Sequence, residues 1–243
     1  MIGEALGQAP SARPANGLLT VGGPDFSGFR VTARLRKLAD LPNLEWARTE
    51  SNAVAASFRS QAEPVRQLLS GQATERQFRA AIAECCPGCL HIATHTVGPD
   101  ASPDGATALA LCPGPQSAGA DNDGLLEISE IYTLPLRRCE LAVLSACRTI
   151  TGRAMPRETA MSTSRAFLAA GTHRVVASHW AVDDRAGCEF VRCFLDRVAH
   201  CWQSNQPCNY AAAVQTARQR LREDARWSDP YFWSSFVLFG AAD

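Results

Sequence analysis

Cys147 and His95 are the residue types in this chain best suited to covalent chemistry. A thiol becomes a nucleophile when a base takes its proton, and an imidazole beside it is the minimal pair. Cys147 follows the stretch CELAVLSA, and His95 lies in the stretch CLHIATHT, residues 89 to 96. Both stretches read as short buried parallel strands, and His95 sits at the carboxyl end of its own. In open α/β sheets that edge is where ligands bind and chemistry occurs. If the two strands are neighbours, the two side chains face one crevice. A third strand, residues 174–178, runs into SHWAVDD. Asp183 and Asp184 there read either as a cap for a helix beginning near Arg185 or as the anionic wall of a specificity pocket. One can cap while the other binds. His91 shares the strand face of His95 but lies about 13 Å further back, and reads as a buried, hydrogen-bonded histidine.

The elements that must position these residues alternate along the chain. Residues 1–16 are a loose lead-in of Gly, Ala, Pro and Ser, and 17–243 read as one domain. A strand at 18–21 stops at Gly22, Gly23 and Pro24. A helix face follows at Ala47, Val54, Ala55 and Phe58, then a strand at 65–69. Thr74 caps a second helix. Residues 97–124 read as a long loop holding a hairpin or flap around TALALC. A short helix at 128–134 precedes the Cys147 strand, and Pro156 opens a helix ending at Gly171. Two helices and a last strand, FWSSFVLFG from Phe232, complete the order. Such alternation predicts an α/β fold: a mostly parallel sheet with helices on both faces.

Composition excludes several alternatives. The chain has 243 residues, 24 basic against 24 acidic, so nothing electrostatic argues for nucleic acid. No apolar run is long enough to span a membrane, and the start lacks the pattern of a secretory signal. Ten cysteines in a chain able to build a core predict reduced, packed thiols in a cytoplasmic protein. Cys139, Cys188, Cys193 and Cys201 read as packing residues.

Together HIATH with His95, LAVLSACRT with Cys147, RAFLAAGT and VVASHWAVDD resemble the CHAT domain family. These are caspase-like cysteine peptidases related to separase, often found behind tetratricopeptide repeats. LLTVGGPDF, DGLLEISEI and WSSFVLFG extend the resemblance over nearly the whole chain from Leu18. It implies a caspase-like sheet and a dyad with Cys147 as nucleophile and His95 as general base and acid. The oxyanion would be held by the backbone N–H groups of Thr96 and Cys147. Separase-like relatives prefer arginine before the scissile bond. By that likeness Asp184, with Asp183, Trp180 and Ser145, would bind the cationic side chain. No cofactor or metal is implied. The implied partners are a protein or peptide substrate and a regulatory protein, such as a tetratricopeptide-repeat chain. The sequence departs from the family at Thr96, where glycine is usual, since threonine resists positive φ.

Three other readings stay open. One is an inactive relative that binds partners through the same crevice. Another is a phosphatase, since Cys147 to Arg153 fits Cys-x5-Arg. The third is a redox or half-zinc role for Cys86 and Cys89 in CCPGC, against a plain turn entering the next strand.

Overall fold

Apolar residues alternate along each central strand, and the two sets bury against different helices. The computed structural model describes residues 17–27, 41–98, 107–114, 122–146, 157–180 and 182–240. Strands β1 (Leu18–Pro24), β2 (Val65–Ser70), β3 (Cys89–Ala93), β7 (Leu141–Ser145), β8 (Arg174–Ser178) and β9 (Phe236–Gly240) form one sheet in the order β2-β1-β3-β7-β8-β9. All pairings are parallel except β8 with β9. Helices α1 (Glu45–Ser60), α5 (Asp184–Gln203) and α6 (Tyr210–Glu223) cover one face. They pack on Leu18, Cys89, Leu141, Val143 and Val176. The opposite set, Leu19, Leu90, Ile92, Ala142, Leu144 and Val175, packs with Phe78 and Ile82 of α2 (Glu75–Cys85) and Phe167 of α4 (Arg157–Ala169). A sheet buried on both faces explains the nearly continuous apolar runs of its strands.

A second, three-stranded antiparallel sheet stands beyond the carboxyl end of β3. It joins β4 (Thr96–Val97), β5 (Ala108–Ala110) and β6 (Leu125–Glu127), with the short helix α3 (Ile128–Ile131) behind it. The expected single strand through residue 96 is therefore wrong. It ends at Ala93, and Thr96 pairs with Leu109 in the other sheet. Thr94 marks the hand-over. Its N–H donates to the carbonyl of Ser145 at 3.3 Å, and its hydroxyl donates to the carbonyl of Ala110. The segment around TALALC is indeed a strand pairing within the long connection.

The last strand also starts later than expected. Residues Pro230–Trp233 form a short helix, α7, capped by the Asp229 side chain, and β9 begins only at Phe236. Proline at the first helical position fixes that turn. Thr74 caps α2 as expected, accepting from the N–H of Gln77 at 3.3 Å. Cys139, Cys188 and Cys201 are buried packing residues and Cys193 is half-buried. Among the described residues, no helix is long and apolar enough to cross a membrane.

Candidate active site

Strands β3 and β7 are neighbours, with Ala93 opposite Ser145. The chain therefore reaches His95 and leaves Ala146 at the same edge of the sheet. Cys147 and Arg153 lie outside the described residues; Cys147 is the residue next after Ala146 in the chain. The end of β7 is held to the second sheet, because the Thr96 hydroxyl donates to the Ala146 carbonyl.

His95 is almost wholly buried, 1% exposed. Its Nε2 lies 2.8 Å from the carbonyl oxygen of Pro42. A carbonyl can only accept, so Nε2 carries the hydrogen, and in the neutral ring Nδ1 holds the basic lone pair. The ring of Phe26 packs against the imidazole at 5.3 Å between centroids. The Phe26 contact fixes the ring's orientation, and the Pro42 carbonyl fixes orientation and tautomer. Nothing in the sequence could have revealed the Pro42 carbonyl, because a backbone acceptor carries no side-chain signature.

Thr96 occupies β4 in extended pairing, and the non-glycine residues with positive φ among those described are Ala62, Ser70, Cys86 and Asn205. The objection drawn from its replacing glycine thus loses its premise, since no positive φ is asked of it. The N–H of Ala110 donates to the carbonyl of His95 at 2.9 Å. Thr96 and Leu109 are consequently a non-hydrogen-bonded pair, and the N–H of Thr96 points away from β5.

Beside this edge lies a cavity of about 430 Å³ of empty space, its solvent-open mouth included, between α1, the ends of β3 and β7, and the start of α5. Ser145, Asp183 and Asp184 line it, as do Ala93, Glu50 and Gly187. Asp183 caps α5, its Oδ1 accepting from the N–H groups of Arg185 at 3.0 Å and Ala186 at 3.1 Å. Asp184, the first residue of α5, is half-buried at the cavity wall. Asp183 thus both caps α5 and lines the cavity, and Asp184 lines it beside it. Trp180 is not among the lining residues. Its indole N–H donates to the carbonyl of Tyr231 at 2.9 Å, which ties the β8 exit to α7.

His91 is fully buried, as expected, and its partners were not foreseen. Nδ1 meets the Thr20 hydroxyl at 2.7 Å and Nε2 meets Glu50 Oε1 at 2.7 Å. The other Glu50 oxygen accepts from the Ser145 hydroxyl at 3.2 Å. Glu50 did carry a signal in the sequence. With Ser51 it interrupts the stripe Ala47, Val54, Ala55 and Phe58, and such a position faces the core.

The alternatives read from the sequence meet the geometry as follows. The Cys-x5-Arg segment, Cys147 to Arg153, lies outside the described residues. In CCPGC, Cys86 adopts the left-handed conformation that ends α2, and Cys89 opens β3 wholly buried. This is the turn reading. Among the described residues, no three of His, Cys, Asp and Glu are grouped to hold a metal.

Comparison with known proteins places this arrangement. The family model of the CHAT domain matches residues 4–241. Among solved structures, the chain is similar to the Arg specific cysteine proteinase gingipain R (RGPB), with a TM-score of 0.58 at 10% identity. That match covers 93% of this chain and 46% of the other, so the chain spans about half the length of that proteinase. It is also similar to protein GSU0716 from Geobacter sulfurreducens, with a TM-score of 0.48 at 16% identity over 93% of this chain and 94% of that one. No curated protein matches the sequence. At these identities the structural likeness speaks for the fold alone, and that fold is the caspase-like one. By the extent of the family match, the chain belongs to the CHAT domain family.

Proposed function

We propose that this protein is a cysteine endopeptidase that cleaves after a basic residue, arginine above all, with Cys147 as nucleophile and His95 as general base and acid. One observation carries the reading. Parallel pairing of Ala93 with Ser145 brings His95 and the exit of the Cys147 strand to one sheet edge, beside a cavity lined by carboxylates.

The chemistry follows from the tautomer. With Nε2–H committed to Pro42, His95 Nδ1 takes the proton of the Cys147 thiol. The thiolate attacks the peptide carbonyl carbon. Negative charge gathers on the carbonyl oxygen, where the backbone N–H groups of Thr96 and Cys147 stabilise it. His95 returns the proton to the leaving amine as the C–N bond breaks. Water, deprotonated by His95, then hydrolyses the thioester and restores the thiol.

The carboxylates favour a cationic side chain before the scissile bond, the preference that the name of gingipain R states for that enzyme. Asp184 is the better placed aspartate. An exposed ion pair is worth only about 0–1 kcal/mol, whereas Asp184 is half-buried at the wall. Trp180 acts at a distance, by fixing the loop ahead of Asp183. Control by a partner chain or by loop rearrangement belongs to this proposal as well.

The test is digestion of a peptide mixture with the products mapped by mass spectrometry. Cleavage after arginine, lost in Cys147→Ala and weakened in Asp184→Asn, is the expected result. Cleavage that survives Cys147→Ala, or that ignores the residue before the bond, would overturn it.

A further inference from the structure

We infer that Glu50 is a specificity-determining residue, the buried anionic floor that receives the cationic side chain in the cavity lined by Asp183 and Asp184. The inference deepens the peptidase reading and rests on it for the meaning of the pocket.

Glu50 is 2% exposed and lines the cavity from the α1 side. Glu50 Oε1 lies 2.7 Å from His91 Nε2, and Oε2 accepts from the Ser145 hydroxyl at 3.2 Å. Of its roughly four lone-pair sites, His91 and Ser145 take two, leaving two for incoming donors.

The cavity is also shaped to reach that floor. Its walls near Glu50 are Ala47, Ala93 and Gly187, and none of the described lining residues is cationic. Gly187 lies inside α5, where glycine is normally a cost. A Cβ there would meet Ser145 Oγ and Phe236 Cζ at 3.9 Å, an ordinary contact, so close packing does not demand glycine. Glycine there leaves that part of the lining without a side chain. A guanidinium, with five N–H donors in a planar fork, matches a cavity lined by carboxylates.

The experiment uses acetyl-arginine methylamide and its neutral isostere acetyl-citrulline methylamide, titrated calorimetrically into the full chain. Wild type is expected to bind the arginine compound at least tenfold more tightly. Glu50→Gln keeps an oxygen for His91 and should reduce that ratio to under threefold, with the citrulline affinity within twofold of wild type. Glu50→Asp, which keeps the charge, should restore part of the ratio, and thermal unfolding of both variants checks the fold. An unchanged ratio in Glu50→Gln, or no arginine preference in wild type, would overturn the inference. The peptidase reading fails separately: an arginine preference without covalent reaction at Cys147 would sink that reading and leave the pocket intact.

Discussion

His91 and His95 belong to the same short stretch of chain, yet the fold treats them differently. His91 lies within β3, opposite Thr20 on one side and Val143 on the other, and both ring nitrogens are bound inside the sheet's helical cover. His95 lies past the strand's end, where the chain turns away to the second sheet and the ring is fixed through Nε2 by a backbone carbonyl. A histidine inside a strand serves the stability of the site, while one just past its end can serve the reaction. In the proposed mechanism, position relative to the last ladder residue, Ala93, separates the buried histidine from the general base.

The largest expected effects would separate the histidines outright. His91→Ala leaves the buried Glu50 without the His91 hydrogen bond, and leaving a buried polar group unsatisfied typically costs about 1–3 kcal/mol, more when it is charged. Chemical denaturation should register that loss. His95→Ala should slow modification of Cys147 by about 10²–10⁴-fold, the usual range for a general base. Equal stability losses with equal rates in the two variants would erase the distinction.

A second carboxylate sharpens the comparison. Glu50 receives two side-chain donors, whereas Glu75 is fully buried at the start of α2 and receives the N–H of Gly124 on Oε2. Its Oε1 has no hydrogen-bond partner among the described residues. Burial pushes the Glu75 carboxyl up to about 8, despite that backbone N–H, with Glu130 and Asp123 adding to the rise. A folded-state value above the unfolded one gives stability that is full below about 4.5 and lost as pH rises through about 8. Unfolding free energy should accordingly fall across that window. Glu75→Gln should flatten the fall, measured by denaturant titration at pH 5 and pH 8.5. A pH-independent difference between wild type and variant would contradict this.

The smallest effect concerns Gly187. Gly187→Ala should stabilise α5 by about 0.5–1 kcal/mol while narrowing the cavity. A rise in the unfolding midpoint together with weaker binding of the arginine compound is expected. A rise with unchanged binding would mean that the glycine does not shape the cavity for the ligand.

Much of this was legible in the residue pattern. Apolar runs ending in small residues located β3, β7 and β8, and the alternation with helices gave the parallel sheet. The aspartate pair declared the cap that Asp183 supplies to α5. What escaped has a common cause: it depends on contacts between distant parts of the chain. The break at Thr94 arises because β5 and β7 both bind that residue. Glu50 required knowing that α1 lies over β3. Local pattern also overextended the last strand, because Phe232 and Trp233 are as apolar as strand residues but belong to α7, opened by Asp229 and Pro230.

Intact-mass labelling tests the central claim most directly. The protein is incubated with an arginine-based chloromethyl ketone, and wild type is compared with Cys147→Ala and His95→Ala. Among the described cysteines, burial pushes the thiols of Cys139, Cys188 and Cys208 up to about 12 and raises those of Cys89, Cys112 and Cys193 as well. Those thiols are poor nucleophiles at neutral pH. One adduct, mapped to Cys147, absent in Cys147→Ala and strongly slowed in His95→Ala, is the predicted result. Labelling spread over several cysteines, or labelling of Cys147 at the same rate without His95, would contradict the dyad.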